Sequence, residues 1–283
     1  MRWEGRRESE NVEDRRGVGA PTMVGGGLLM LLLMIGLMFL GVDPQQAVGI
    51  GRGLAPAPRA QPSAQPVNDA GSRFIKTVLA ENEDVWGKLF PPSFQGRYVP
   101  AKLVMFTGQV QSGCGMASAA SGPFYCPLDK KVYIDLAFYD ELKRRFGAPG
   151  EFAQAYVIAH EIGHHVQNQL GISNKVQAMR NRLSERDYNK LSVRMELQAD
   201  FLAGVWAHHV ARYGGIIDEQ DILDAVNAAA AIGDDKIQKQ AQGYVVPDAF
   251  THGTSQQRQR WFLYGLKTGD PRLMDRAFEV DEP

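Results

Sequence analysis

Residues 155–169 read AYVIAHEIGHHVQNQ, and this stretch decides which fold the sequence predicts. In a helix, successive residues turn by about 100°, so His160 and His164 lie one turn apart on the same face. Glu161 lies beside them. The opposite side is apolar, with Ala155, Ile158, Ile162 and Val166. The stretch therefore predicts a helix that buries one side and turns two imidazoles and a carboxylate towards a cleft.

The His160-Glu161-x-x-His164 pattern favours a zinc site. Two imidazoles one helical turn apart suit Zn²⁺, and the adjacent glutamate can activate a metal-bound water. A catalytic zinc ion usually has three protein ligands and one open position. The sequence therefore predicts a third ligand on a neighbouring element.

Glu196 is the best candidate for that third ligand, because it lies in a second helical pattern. Asp200 follows four residues later and shares its face, where it can accept a hydrogen bond from the free nitrogen of a ligand histidine. A solvated acidic face is the alternative interpretation. Apolar residues surround the pair, however, and an unpaired carboxylate among them would be costly. We therefore expect Glu196 to bind the metal and Asp200 to orient a ligand.

The composition excludes several classes of protein. The chain has 283 residues, with 31 Lys and Arg against 32 Asp and Glu and a net charge of −1. Dedicated nucleic-acid-binding proteins usually have a clear basic excess, so no nucleic-acid partner is expected. Two cysteines are too few for a disulfide-rich scaffold or a four-cysteine metal site.

An uncharged apolar stretch spans residues 23–42, and its 20 residues are enough for one helix to cross a bilayer. Five arginines precede it and two follow it closely, so the positive-inside rule predicts a cytoplasmic segment at residues 1–22. We expect an uncleaved single-pass membrane anchor, with the rest of the chain outside the cytoplasm. A cleaved signal peptide and a buried core helix are the alternatives.

The remainder of the chain divides into a linker and one domain. Residues 43–70 are rich in Gly, Ala and Pro and predict an extended linker. Residues 71–283 predict one globular domain, with short strands at 102–106 and 131–136. Helices are predicted over 73–89 (ended by Pro91 and Pro92), 138–146, 151–170, 187–213, 218–231 and 255–267. The predicted fold is α+β, mainly helical with a small sheet.

Beyond these patterns, the sequence resembles a known family. The HExxH motif followed by E-x-x-x-D resembles the gluzincin pattern. Four blocks, HEIGHHVQNQLGI, ELQADFLAGVWAHH, GPFYCP and THGTSQQR, resemble the bacterial putative neutral zinc metallopeptidases over about residues 72–275. The resemblance implies a zincin-like metalloprotease fold, with a small sheet above the motif helix and a helical lower half. It also implies Zn²⁺ bound by His160, His164 and Glu196, with Glu161 as the base.

The resemblance also implies a role for His252. Related gluzincins place a His or Tyr where it can stabilise the oxyanion of the tetrahedral intermediate. His252 is the candidate here, with Arg258 supporting it and with Tyr156 and Tyr244 as weaker alternatives. The competing interpretation is that His252 only orders its loop.

The other histidines are expected to be structural. His165 lies about 140° around the helix from His160. His208 and His209 lie 12 and 13 residues beyond Glu196, which is about 18 Å along the same helix.

Cys114 and Cys126 flank a Gly-, Ser- and Ala-rich stretch. In an oxidising compartment they are expected to form a disulfide, worth about 2–4 kcal/mol, that helps shape a substrate groove. Two free buried thiols are the alternative. Where members of the family often have two further cysteines, this chain has Phe201 and Met274.

Together these features predict a membrane-anchored zinc metallopeptidase that hydrolyses a protein or peptide substrate. An alternative from another class is a catalytically silent, membrane-tethered zinc-fold binding or scaffold protein of the cell envelope. The intact Glu161 argues against it. A protease facing the cytoplasm is a third possibility and requires the inverted topology.

Overall fold

The computed structural model of the chain describes residues 1–16, 69–118, 122–139 and 150–281. Its strands are β1 (Val12–Asp14), β2 (Lys102–Phe106), β3 (Gln109–Ser112), β4 (Gly115–Ser118), β5 (Phe124–Cys126) and β6 (Lys131–Asp135). Its helices are α1 (Ala70–Ser93), α2 (Glu151–Gln169), α3 (Ile172–Met179), α4 (Glu185–Gly214), α5 (Glu219–Ala231), α6 (Asp234–Gln242), α7 (Ser255–Thr268) and α8 (Arg276–Glu279), with 3-10 turns at Pro247–Ala249 and Pro271–Asp275. The predicted mainly helical α+β class is confirmed.

Four strands form one sheet, in the order β1-β2-β6-β5. β1, β2 and β6 are parallel, with Leu103 opposite Val12 on one side and Val132 on the other. β5 is antiparallel to β6 and forms an edge of the sheet. The sequences of β2 and β6 are almost continuously apolar and buried, as expected for strands covered on both faces. β3 and β4 form a separate antiparallel pair.

The motif helix α2 packs between the sheet and the lower helices, in contact with β5, β6, α1, α4 and α5. The apolar side predicted from the sequence is buried, as Ala155, Ile158, Ile162 and Val166 show no exposed surface. Fully burying a side chain the size of Ile or Val stabilises the fold by about 1.5–3 kcal/mol. This face therefore holds α2 firmly, so that its polar side points in a fixed direction.

Two glycines set the distance between α4 and α7. A Cβ added to Gly204 would lie 2.0 Å from the carbonyl oxygen of Phe262, and one added to Gly265 would lie 2.0 Å from that of Phe201. Any larger residue would push the two backbones apart. This close contact brings the N-terminal turn of α7 to α4.

The first helix, α1, is longer than the sequence predicted. Pro91 and Pro92 do not end α1, which continues to Ser93. The amide of Phe94 donates to the carbonyl of Phe90 at 2.8 Å and so bridges the two prolines, which have no N–H to donate. The short strands β1, β3, β4 and β5 and the helices α3, α6 and α8 were also missed by the sequence patterns.

The N-terminal residues join the same compact unit as the main domain. Met1–Arg15 and Pro66–Pro283 form one unit, and β1 pairs with β2. The sequence predicted a separate segment at residues 1–22 and a domain that begins at residue 71. That boundary leaves out a strand, because pairing between residues about 90 positions apart is not encoded in a local pattern.

Several predictions lie outside the described residues, among them the anchor at 23–42, most of the linker at 43–70 and most of the helix at 138–146. Within the described part of the chain, none of the helices combines the length and the apolar character needed to cross a membrane.

Candidate metal centre

The three predicted ligands converge at one point. His160 and His164 come from α2, and Glu196 comes from the middle of α4. His160 Nε2 lies 3.1 Å from Glu196 Oε2, and His164 Nε2 lies 3.4 Å from Glu196 Oε1. Among the described residues, these three form the one group of His, Cys, Asp or Glu side chains that could hold a metal ion.

The geometry of this group fits zinc. A tetrahedral zinc ion with ligand bonds of about 2.0–2.2 Å separates its ligand atoms by about 3.3–3.6 Å. The two distances to Glu196, each to a different carboxylate oxygen, lie close to that range. One ligand atom from each residue lies within 4.8 Å of the others. Two imidazole nitrogens and a carboxylate are also a donor set that zinc prefers.

The first candidate ligand, His160, is held by a buried ionic network. Its Nδ1 lies 2.9 Å from Asp200 Oδ1, which leaves Nε2 directed at Glu196. Arg258 donates to both carboxylate oxygens of Asp200, from Nε at 2.8 Å and from Nη2 at 3.0 Å. The Tyr156 hydroxyl donates to Asp200 Oδ1 as well. Asp200, Arg258 and Tyr156 are all at most 1% exposed, so this network is shielded from water.

The network shifts the proton affinities of its members. Burial acts to lower the pKa of His160, but the charge and hydrogen bond of Asp200, together with Glu196, raise it to about 10. Burial also opposes ionisation of Asp200, yet the positive charge of Arg258 holds the pKa of Asp200 below its ordinary value. The acidic groups that hold a proton on His160 would equally favour a divalent cation, with which the proton must compete.

The second candidate ligand, His164, is held by neutral amides instead. Its Nδ1 lies 2.8 Å from Gln167 Oε1, one turn later on α2. The Gln167 amide donates to the carbonyl of Met195 at 2.7 Å and to Gln198 Oε1 at 2.9 Å. Gln198 in turn donates to the carbonyl of Met274 at 3.1 Å. Each amide is fully buried and has both its donor and its acceptor satisfied, so the chain fixes the orientation of the ring.

A glycine lets the two ligand-bearing helices meet. A Cβ added to Gly163 would lie 3.0 Å from the carbonyl oxygen of Ala199, which belongs to the backbone of α4. Gly163 lies next to His164, and Ala199 lies next to Asp200. The close approach of α2 and α4 therefore occurs at the level of the metal ligands.

The three candidate ligands open into a cavity of about 590 Å³. Glu161 lines the same cavity and is 7% exposed. The edge strand β5 contributes Phe124 and Tyr125 to one wall. The remaining wall is largely apolar, with Phe138, Val157, Ile232, Ile237 and Ala241.

His252 also reaches this cavity, at the start of the segment that leads into α7. Its side chain is half exposed, and its Nδ1 lies 3.1 Å from Asp234 Oδ1. Asp234 Oδ2 accepts hydrogen bonds from the backbone amides of Thr251, His252 and Gly253, at 2.7, 2.6 and 3.0 Å. The hydrogen bond that the His252 ring donates to Asp234 raises the pKa of His252 against the opposing effect of burial, and the charge of Glu196 adds to the rise.

Residues 1–276 match the family described as "Putative neutral zinc metallopeptidase". The chain belongs to this family. It is 48% identical over 283 residues to the Escherichia coli K12 protein named "Uncharacterized protein YpfJ", with 96% of each chain covered. It is also 39% identical over 259 residues to "Uncharacterized protein Rv2575" of Mycobacterium tuberculosis, with 86% of each chain covered. No solved structure matches the chain.

The structure places most predicted site residues of this family member together, but it gives Arg258 a different neighbour. The sequence placed Arg258 as a support for His252, whereas its hydrogen bonds go to Asp200 and Tyr156. Tyr156, considered from the sequence as an oxyanion group, is fully buried beside Asp200. Tyr244, the other such candidate, is 62% exposed.

Three supporting residues of the site were missed by the sequence patterns: Gln167, Gln198 and Asp234. The sequence spacing could have identified Gln167, because it lies three residues after His164 on the same helix and therefore on the same face. No sequence pattern identifies Asp234, since it precedes His252 by 18 residues and meets it only through the packing of α6 against the α7 segment.

The remaining histidines and the cysteines behave as predicted. His165 is buried and contacts the Tyr125 hydroxyl and the Val99 carbonyl. His208 and His209 bond to the backbone carbonyls of Leu266 and Gly269, away from the metal centre. Cys114 and Cys126 form the predicted disulfide, which ties the β3-β4 pair to the edge strand β5.

Proposed function

We propose that this protein is a zinc metallopeptidase that hydrolyses peptide bonds with Glu161 as its general base. The observation that carries the proposal is the convergence of His160, His164 and Glu196 on one point, next to a glutamate that lines the same cavity. Two imidazoles, a carboxylate and an adjacent base are the groups that zinc-dependent hydrolysis requires.

The catalytic step is assigned to Glu161. When bound, a zinc ion would act as a Lewis acid on the scissile carbonyl and lower the pKa of a water molecule. Glu161 follows ligand His160 directly on α2 and lines the cavity into which the ligands open. Its carboxylate takes the proton of the attacking water and passes it to the leaving nitrogen.

His252 is assigned to the oxygen of the scissile carbonyl, which gains negative charge during attack. Its contact with Asp234 fixes the ring and keeps it protonated to a higher pH than a free histidine. A protonated imidazole at the cavity wall can donate a hydrogen bond to that oxygen. The backbone amides of residues 251–253 hold Asp234 in place for this purpose.

The shape of the cavity favours an extended peptide as substrate. β5 is an edge strand and lines the cavity, so its free side can pair with a peptide backbone. The apolar wall formed by Val157, Ile232 and Ile237 favours an apolar side chain next to the scissile bond.

The Cys114–Cys126 disulfide supports an oxidising location for the domain. Disulfides persist outside the cytoplasm and are rare within it. We therefore assign the domain to the extracytoplasmic side of the bacterial inner membrane.

A single substitution tests the proposal. Full-length protein should bind about one zinc ion per chain and cleave peptides from a random library. Glu161→Gln should keep its zinc, because Glu161 is not among the ligands, and should lose activity by at least about 100-fold. Glu185→Gln, on the exposed first turn of α4, is the matched control and should cleave like the wild type. Equal cleavage by Glu161→Gln and wild type would refute the proposed mechanism.

A further inference from the structure

The N-terminal segment, defined here as Met1–Asp14, is built into the metal-binding domain. Its strand β1 pairs with β2 in parallel register, with Val12, Glu13 and Asp14 opposite Leu103, Val104 and Met105. Further backbone hydrogen bonds extend the contact on both sides of the strand, from Ser9 to Lys76 before it and from Arg15 to Met105 after it. The segment therefore supplies a strand of the sheet.

Charge pairs fasten this segment to α1. Arg6 Nε lies 2.6 Å from Glu81 Oε1, and Arg7 Nη2 lies 3.0 Å from Glu83 Oε2 and 2.9 Å from Asp84 Oδ1. These two arginines belong to the five whose positive charge predicted a cytoplasmic N-terminus. Their charges instead have acidic partners on the domain itself.

A buried aromatic residue links the segment to the motif helix. Trp3 is 8% exposed and packs edge-on against Phe74 of α1. Its indole nitrogen donates to Glu151 Oε2 at 3.2 Å, and Glu151 is the first residue of α2. The segment thus touches both helices that flank the sheet, including the one that carries two metal ligands.

These contacts conflict with a single membrane crossing between residues 16 and 69. Such a crossing would separate the two sides by a hydrocarbon layer of about 30 Å, across which β1 could not pair with β2. The sequence has one uncharged stretch of 20 residues in this interval, and residues 43–68 contain no second one. Two crossings would need about twice that number of apolar residues.

We propose that Met1–Asp14 and the metal-binding domain lie on the same side of the membrane, and that the apolar stretch between them does not separate them by a single crossing. The proposal rests on the strand pairing and the ion pairs of the described residues. It does not depend on whether the site is catalytic.

Labelling of two engineered cysteines in the full-length protein tests the topology. Glu4→Cys reports on the segment and Leu223→Cys, 53% exposed on α5, reports on the domain. The native cysteines are joined in a disulfide and do not react. In intact spheroplasts treated with a membrane-impermeant maleimide, both sites should label. If neither labels before detergent is added, the same-side proposal stands and the extracytoplasmic assignment is lost. If one site labels and the other does not, the proposal is overturned.

A charge exchange tests whether the segment is docked. Arg6→Glu and Glu81→Arg should each lower the thermal midpoint, and the double variant Arg6→Glu/Glu81→Arg should recover most of the loss, because the pair is re-formed with reversed signs. Arg97→Glu, at an exposed position, is the matched control. If Arg6→Glu behaves like Arg97→Glu, or if the double variant shows only the sum of both losses, the docking is refuted.

Discussion

The two histidines of the motif are one helical turn apart, yet the protein holds them by different means. His160 is supported by Asp200 and Arg258, a buried pair of opposite charges where α2, α4 and α7 meet. His164 is supported by Gln167, a neutral side chain on its own helix. The difference indicates that a metal ligand needs a fixed orientation, which either charge or an amide can supply. Loss of the charged support should lower the free energy of unfolding more than loss of the amide.

The largest loss of stability is expected when the ionic support of His160 is removed. Asp200→Asn leaves the buried charge of Arg258 without its partner, which should lower the free energy of unfolding by about 3–5 kcal/mol. Zinc affinity should fall about 10–100-fold, because the imidazole of His160 loses its charged support. Urea unfolding and zinc titration measure the two effects.

A double variant separates the two effects of Asp200→Asn. Asp200→Asn/Arg258→Met removes both charges and should regain much of the stability while zinc affinity stays low. An Asp200→Asn protein as stable as the wild type would show that the pair is not the support described here.

The pH dependence of the metal-free protein should reveal the same network. A pKa raised from 6.5 to about 10 stabilises the fold below pH 6.5, and this contribution is lost as the pH rises towards 10. The free energy of unfolding should therefore decrease over that interval in zinc-free protein. The decrease should be smaller in Asp200→Asn/Arg258→Met, which lacks the charge that raises the pKa of His160. Identical profiles for both proteins would contradict this origin of the shift.

A smaller effect is expected where the two ligand-bearing helices touch. Gly163→Ala places a Cβ 3.0 Å from the Ala199 carbonyl oxygen, so α2 and α4 must separate by a few tenths of an ångström. We expect a loss of about 1–3 kcal/mol in unfolding free energy, together with weaker zinc binding. Gly87→Ala on α1 is the matched control, since no atom lies within 4 Å of its added Cβ, and it should stabilise by about 0.5–1 kcal/mol. Equal effects of the two substitutions on thermal unfolding would contradict the close approach.

A loss of similar size is expected when the amide support of His164 is removed. Gln167→Ala removes the acceptor for His164 Nδ1 and leaves Gln198 without one partner, at a cost of about 1–3 kcal/mol. No buried charge is left unpaired, so the loss should stay below that of Asp200→Asn, with zinc affinity down about tenfold. Gln154→Ala on the same helix is the control. A Gln167→Ala protein less stable than Asp200→Asn would reverse the comparison.

The grouping of the candidate ligands could be predicted from the sequence because their spacing is local. His160 and His164, like Glu196 and Asp200, are four residues apart on single helices, and helical geometry alone puts each pair on one face. The partner of Arg258 could not be predicted in this way. Its contact with Asp200 depends on how closely α4 and α7 pack at Gly204 and Gly265.

The sheet was predicted only in part, for a similar reason. β2 and β6 are apolar runs that local patterns reveal, and both were expected. β1 has three residues, two of them acidic, and becomes a strand only because β2 lies beside it. The role of Asp234 likewise arises from packing, as it meets His252 across 18 residues of chain.

The most direct test of the account is the position of the metal itself. Crystals of zinc-loaded, full-length protein, measured on both sides of the zinc absorption edge, should give one anomalous peak bounded by His160 Nε2, His164 Nε2 and a Glu196 carboxylate oxygen. The peak should persist in Glu161→Gln. A zinc ion bound elsewhere, or active protein without a peak between these three residues, would contradict the central claim.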